Sequence, residues 1–250
     1  MDSLRNFWAA VRDLSLKCQI AALCTCILLI FFAIPLPLLV TPNYSFDEVT
    51  EDCGPDMSMK SRKLLLYWHN WYRSIAAKGE YKIAEKNSKL KMLPPATRML
   101  QLKYNCSLEK SSLKWARTVQ CKLVHSETNV GENLYICFPE IPLEEASDDA
   151  TKPWANEITD LGMSDLSDWG GGKGHASQVL WDTTESVGCG TIHCNNPGTM
   201  VVCQYYPAGN MMDYYGKREP MYKAGDTLSD CGKGGRKEVP FRKTGLCILL

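Results

Sequence analysis

The sequence has no excess of charge of either sign: Lys plus Arg and Asp plus Glu each total 28. A balanced chain is not steered as a whole toward nucleic acid or an acidic surface, so partners have to be argued from local features. Generic catalytic signatures are missing as well. There is no G-x-S-x-G for a serine nucleophile and no H-E-x-x-H for a metalloprotease, and the glycine-rich "WGGGKGH" from Trp169 to His175 lacks the spacing of a phosphate-cradling loop. No internal repeat and no low-complexity block interrupts the 250 residues. Histidine is scarce, with only His69, His125, His175 and His193.

Cysteine, by contrast, is plentiful, with 12 in the chain. Cys18, Cys24 and Cys26 fall inside "CQIAALCTCILLIFFAIPLPLLV", a run from Cys18 to Val40 without a charged residue and long enough to cross a bilayer. Arg5, Arg12 and Lys17 precede it and Asp47 and Glu48 follow, which keeps the N-terminus cytoplasmic and sends the remainder across. The run reads first as a signal peptide, because Pro35 and Pro37 weaken a permanent spanning helix, and alternatively as a type II signal anchor. Membrane contact is expected only through residues 18–40, if they are retained. Nine cysteines lie downstream, and an oxidising compartment pairs most of them, leaving at least one unpaired. Asn43 and Asn105 begin N-x-S sequons; the second has Cys106 at its middle position, where a disulfide competes with glycosylation.

The expected organisation is a signal peptide or anchor over 1–40, a polar linker over 41–56, a folded domain over 57–210 and a cysteine-containing extension over 211–250. Helical spacing of Leu65, Trp68, Tyr72, Ile75 and Ala76 predicts a helix from Ser58 to Lys78, with Gly79 as its stop. A second helix is predicted from Ser107 to Lys122 with Leu108, Trp115, Ala116 and Val119 inward, and shorter ones over Trp154–Asp160 and His175–Trp181. "SVGCGTIHC" and "TMVVCQYYPAG" read as strands around an "NNPG" turn. Helices followed by a hairpin give an α+β layered domain. The tail, rich in glycine and charge and carrying Cys231 and Cys247, reads as a small appendage that depends on a disulfide or on packing against the domain, with connectivity left open by spacing.

Taken by spacing alone, the histidines share nothing with one another or with the acids near them. Four motifs change that. "HNWYR" from His69 to Arg73, "GENLY" from Gly131 to Tyr135, "GHASQVLWDTT" from Gly174 to Thr184 and "VVCQYYPAGN" from Val201 to Asn210 resemble, in order, the signatures of the CAP superfamily of cysteine-rich secretory, antigen 5 and pathogenesis-related proteins. The tail, with "YKAGDTLSDC" and "TGLC", is similar to the hinge of the nematode activation-associated or venom allergen-like branch, although Thr227 stands where many relatives have a cysteine.

The resemblance implies a three-layer α-β-α sandwich with an open cleft lined by a tetrad, here His125, Glu132, Glu157 and His175. In such relatives the two histidines hold zinc or another divalent cation and the acids order them. His69, Asn70 and Arg73 match residues that hydrogen-bond the layers together, Gly131 and Asn133 further structural positions of the motifs, Cys189 and Cys203 a bridged pair, and Trp181 and Tyr205 core or cleft-wall positions. Cys137, directly after the "GENLY" motif, is an unusual position and a candidate for the odd thiol. The functional expectation is a secreted, non-enzymatic effector that engages an extracellular protein receptor in a host or tissue, with no nucleic-acid partner. Two alternatives stand beside it: a sterol or fatty-acid carrier, marked by an apolar pocket near the Gly170–Gly174 loop, and a metal-dependent hydrolase with Glu132 or Glu157 as base.

Overall fold

A computed structural model describes residues 45–250. The apolar run over 18–40 and the Asn43 sequon lie outside the described residues. Among the described residues no helix is long and apolar enough to cross a membrane.

Helix α1 covers Met59–Ala77, capped by the Ser58 hydroxyl, which accepts from the Ser61 amide at 3.0 Å. It buries Leu65, Leu66, Tyr72, Ala76 and Ala77, while Trp68 and Ile75 are only half-buried. After the two-residue strand β1 (Lys103–Tyr104), helix α2 spans Cys106–Val119. Its N-cap is Asn105, whose Oδ1 accepts from the amides of Ser107 and Leu108 at 2.9 and 3.0 Å. The Asn105 sequon is therefore folded into a helix cap, and its central Cys106 is bridged to Cys53. Leu113, Ala116 and Val119 make the buried face of α2; Trp115 instead lies half-buried and donates from Nε1 to the Val124 carbonyl.

Strand β2 (Gly131–Cys137), helices α3 (Leu143–Asp149), α4 (Thr151–Leu161) and α5 (Gly174–Val179), and strands β3 (Ser186–His193) and β4 (Thr199–Tyr206) complete the domain. The sheet order is β1-β3-β4-β2, with β1 parallel to β3 and the other pairs antiparallel. Side chains of a strand alternate between faces. On one face Gly188 and Gly190 meet α2 so closely that an added Cβ would lie 2.4 Å from the Asn105 carbonyl and 2.5 Å from the Leu113 amide. On the other, Thr191 meets Ser147 of α3 at 3.2 Å. This is the three-layer α-β-α arrangement.

Four disulfides brace it: Cys53–Cys106, Cys121–Cys194, Cys189–Cys203 and Cys231–Cys247. Cys137 is the free cysteine among the described residues. The two flanking segments belong to the same unit. Composition reads 41–56 as a tether, yet from residue 45 it is fastened down: Asn70 donates to the Phe46 carbonyl, Arg62 to that of Gly54, and Phe46, Val49 and Cys53 pack on the core. Composition likewise reads 211–250 as an appendage. In the structure Met221, Tyr222 and Leu246 are core residues, Thr227 donates to the Ala77 carbonyl at 2.8 Å, and strands β5 (Glu238–Phe241) and β6 (Leu246–Leu249) form a hairpin held by a bidentate Arg98–Glu238 pair. Glycine and charge set the look of these segments, but a few well-spaced apolar and polar anchors set their place.

Candidate functional site

Several buried motif residues bond between separate elements of the fold. Arg73, fully buried on α1, donates to the carbonyls of Leu100, Val179, Trp181, Asp182 and Thr184. Burial lowers its pKa to about 9, partly opposed by the Asp182 charge. Asn70 accepts from the Leu102 amide and donates back to the Leu102 carbonyl, locking α1 to the chain entering β1. Asn133 donates both to the Tyr205 hydroxyl and to the backbone carbonyl of His175, each at 3.1 Å. Gly131 is the neighbour that lets α5 approach β2, because an added Cβ would sit 2.0 Å from Gln178 Oε1. The start of β2 and the start of α5 are thus held together, and both carry tetrad residues.

The four tetrad residues form two histidine–carboxylate pairs. His125, in the loop after α2, meets Glu132 through Nδ1 at 3.0 Å. Glu132 is nearly buried and also accepts from the Ser126 amide, the Ser126 hydroxyl and Gln204 Nε2 at 2.8, 2.6 and 2.9 Å. Burial would raise its pKa, but the hydrogen bonds from His125, Gln204 and Ser126 outweigh it and hold Glu132 below the usual glutamate value. The same hydrogen bond to Glu132 raises the pKa of His125 against its partial desolvation.

His175, at the first turn of α5, meets Glu157 of α4 through Nδ1 at 2.5 Å. The second oxygen of Glu157 accepts from the amides of His175 and Ala176, both at 3.0 Å. Trp154, one turn before Glu157, lies nearly parallel to the His175 ring at 6.2 Å and fixes itself by donating from Nε1 to the Leu134 carbonyl of β2. In both pairs the carboxylate takes Nδ1 and leaves Nε2 as the nitrogen without a partner among the described residues.

The structure does not gather the tetrad into one ready ligand set: no three of its members place ligand atoms within 4.8 Å of one another. The one such trio among the described residues is Cys231, Glu238 and Cys247, whose sulfurs are bonded to each other and whose carboxylate is taken by Arg98. His193 is a surface residue facing Glu140 at 3.4 Å. Sequence reasoning missed Ser126 and Gln204, which complete the shell of Glu132. Gln204 was signposted only by its place in "VVCQYYPAGN", opposite Glu132 in the β2–β4 register.

A profile of the cysteine-rich secretory protein family, CAP, matches residues 66–205. The chain belongs to the CAP family. Among its relatives is the Ancylostoma secreted protein of Ancylostoma caninum, 29% identical over 222 residues that cover 84% of this chain and 49% of that protein. Cysteine-rich secretory protein 2 of Homo sapiens is 32% identical over 170 residues, 61% of this chain and 66% of the relative. This chain therefore spans about half the length of the Ancylostoma relative and about two thirds of the human one. A crystal structure described as NaASP2 with Zn2+ superimposes with a TM-score of 0.66 at 30% identity, covering 77% of this chain and 97% of that one. The CAP sandwich is the one that the four motifs imply, and the Ancylostoma relative agrees with the nematode-type resemblance of the tail.

Proposed function

We propose that this CAP domain works outside the cytoplasm as a non-enzymatic binding module that engages a host or tissue protein, with His125 and His175 supplying nitrogen donors for a divalent cation such as Zn2+. The observation that carries the metal reading is the matched use of Nδ1: each ring is oriented by a carboxylate and keeps Nε2 for a ligand, the outer-shell pattern of metal-binding histidines. Neutral imidazoles suit zinc, and a similar chain, NaASP2, is described with Zn2+. The carboxylate-oriented imidazoles are donors of the type zinc takes, and water would complete the coordination. Zinc bound there would supply Lewis acidity and a fixed positive charge, while Glu132 and Glu157 keep the rings in place.

Two observations favour binding over the alternatives. Both acids are committed to a histidine and to backbone amides, which makes them orienting groups and poor bases for a hydrolase. The open groove beside the Gly170–Gly174 loop, about 470 Å³, is lined by Ser164, Asp165, Asp168, Lys217 and Arg218 with Met212, so that place lacks the apolar lining a sterol or an acyl chain needs. Calorimetric titration of the protein with zinc tests the proposal. Binding that His125→Ala and His175→Ala each abolish is the expected result; no heat from the folded protein would leave the pairs as structural features only.

A further inference from the structure

We propose that the C-terminal β5–β6 hairpin and its disulfide-closed loop are a binding site for a sulfated polysaccharide. Between Cys231 and Cys247 the sequence carries five basic residues, Lys233, Arg236, Lys237, Arg242 and Lys243, and one acid, Glu238. All five cations are exposed, whereas Glu238 is buried and neutralised by Arg98 at 2.7 Å. The outward charge of the loop is therefore positive throughout, in a chain whose net charge is +0. Lys233 is paired with Asp230 and Arg236 with Glu185. Lys237, Arg242 and Lys243 have no ion pair among the described residues, so their charge is available to a ligand.

The loop is also pre-ordered. Cys231–Cys247 closes it, β5 and β6 pair from Glu238 to Leu249, and β6 is bonded to the core chain through Cys247 N to the Met99 carbonyl at 2.8 Å and Gln101 N to the Cys247 carbonyl at 2.9 Å. Lys237 precedes β5 and the adjacent Arg242 and Lys243 follow it, which sets one unpaired cation roughly 16 Å along the hairpin from the other two at ~3.3 Å per residue. A rigid row of that length suits a stiff polyanion with repeating sulfates more than a single small anion.

The other polyanions fit less well. No exposed large hydrophobic residue lies between Cys231 and Cys247, so the loop has nothing to insert into a bilayer. The one aromatic there, Phe241, is half-buried and offers no open platform for stacking bases. The choice of an extracellular polymer rests on the extracytoplasmic reading above. The binding itself does not involve the histidine pairs, so it is measured in chelator and stands or falls separately from the zinc titration.

The test is binding of a heparin-derived octasaccharide at about 0.15 M salt, where loosely held surface charge is largely screened. The variant Lys237→Ser/Arg242→Ser/Lys243→Ser is expected to bind at least tenfold more weakly and to elute earlier from immobilised heparin. Its plot of log affinity against log salt should be shallower by about 2, as for the loss of three ionic contacts. Lys110→Ser/Lys114→Ser/Lys122→Ser, which removes the same charge from α2 and the residues after it, should bind as the unaltered protein does. The proposal is overturned if the unaltered protein is not retained, if the two variants weaken equally, or if a desulfated octasaccharide binds as tightly. Tighter binding to anionic vesicles or to single-stranded DNA than to the octasaccharide would overturn it too.

Discussion

Nε2 of His69 and the hydroxyl of Tyr205 meet at 2.8 Å in the buried seam between α1 and β4. Nδ1 of His69 faces the Leu65 carbonyl at 2.7 Å, so the network assigns the proton to Nδ1 and makes Nε2 the acceptor of the tyrosine O–H. The Tyr205 oxygen in turn accepts from Asn133, which holds the backbone of His175. Core and candidate site are one hydrogen-bonded chain, and it requires His69 to be neutral.

Burial, reinforced by the charge of Arg73 and only partly opposed by the Leu65 carbonyl, lowers the pKa of His69 to about 4. The unfolded chain then takes up this proton first as pH falls. Stability contributed by the neutral ring is full at neutral pH and is lost between about pH 6.5 and 4, by an amount on the order of 3 kcal/mol. Urea midpoints measured across that window should fall with acid, and His69→Gln should flatten the slope while lowering stability at pH 7.

Asp182 works in the opposite sense. Burial raises its carboxyl to about 6 in spite of Arg98 and Arg73 nearby. The folded protein therefore binds this proton more tightly than the unfolded chain, and stability is lost as pH rises from about 4 to 6. Asp182→Asn is expected to stabilise the protein at pH 7 by about 1–3 kcal/mol and to have no effect below pH 4. Removing it should also steepen the acid loss due to His69, which the two groups partly mask in each other.

Glu132→Gln should move the imidazole pKa of His125 down, because the carboxylate hydrogen bond that raises it is gone. An NMR titration of the His125 ring reads this directly. If zinc binds at His125, its affinity should fall as pH drops through the raised pKa, since the proton and the metal compete for the ring. An unchanged His125 titration would mean that the pair does not form in solution.

Alkylation without reductant should mark Cys137 alone among the nine cysteines from Cys53 onward, slowly because it is half-buried. Peptide mass spectrometry provides the readout. Label at Cys231 or Cys247 would show that the staple of the tail is open.

The legible parts of the fold were those with local chemistry. Helical spacing announces α1 and α2, Gly79 the end of the first, and the β-branched runs announce β3 and β4, whereas the caps at Ser58 and Asn105 emerge only in the structure. Strand β2 escaped because "GENLYIC" opens on glycine, glutamate and asparagine; it is a strand through its pairing with β4. Helix α3, "LEEASDD", has no side-chain cap and depends on burying Ala146 and Ser147. The tetrad was visible only through resemblance, since residues 18 apart such as Glu157 and His175 have no local signature. Their pairing is the work of the tertiary fold, as are the anchors that draw the tail into the core.

Cys53–Cys106 has a mechanical consequence. A pull applied at Ser45 can peel only the few residues up to Cys53 before it reaches covalent resistance. From there the load passes to the first turn of α2 and, beside it, to the buried Arg62–Glu109 pair that joins α1 to α2. Tension arriving at the N-terminal end of the domain therefore meets the disulfide and the ion pair between the two helices before it reaches the sheet that carries Glu132.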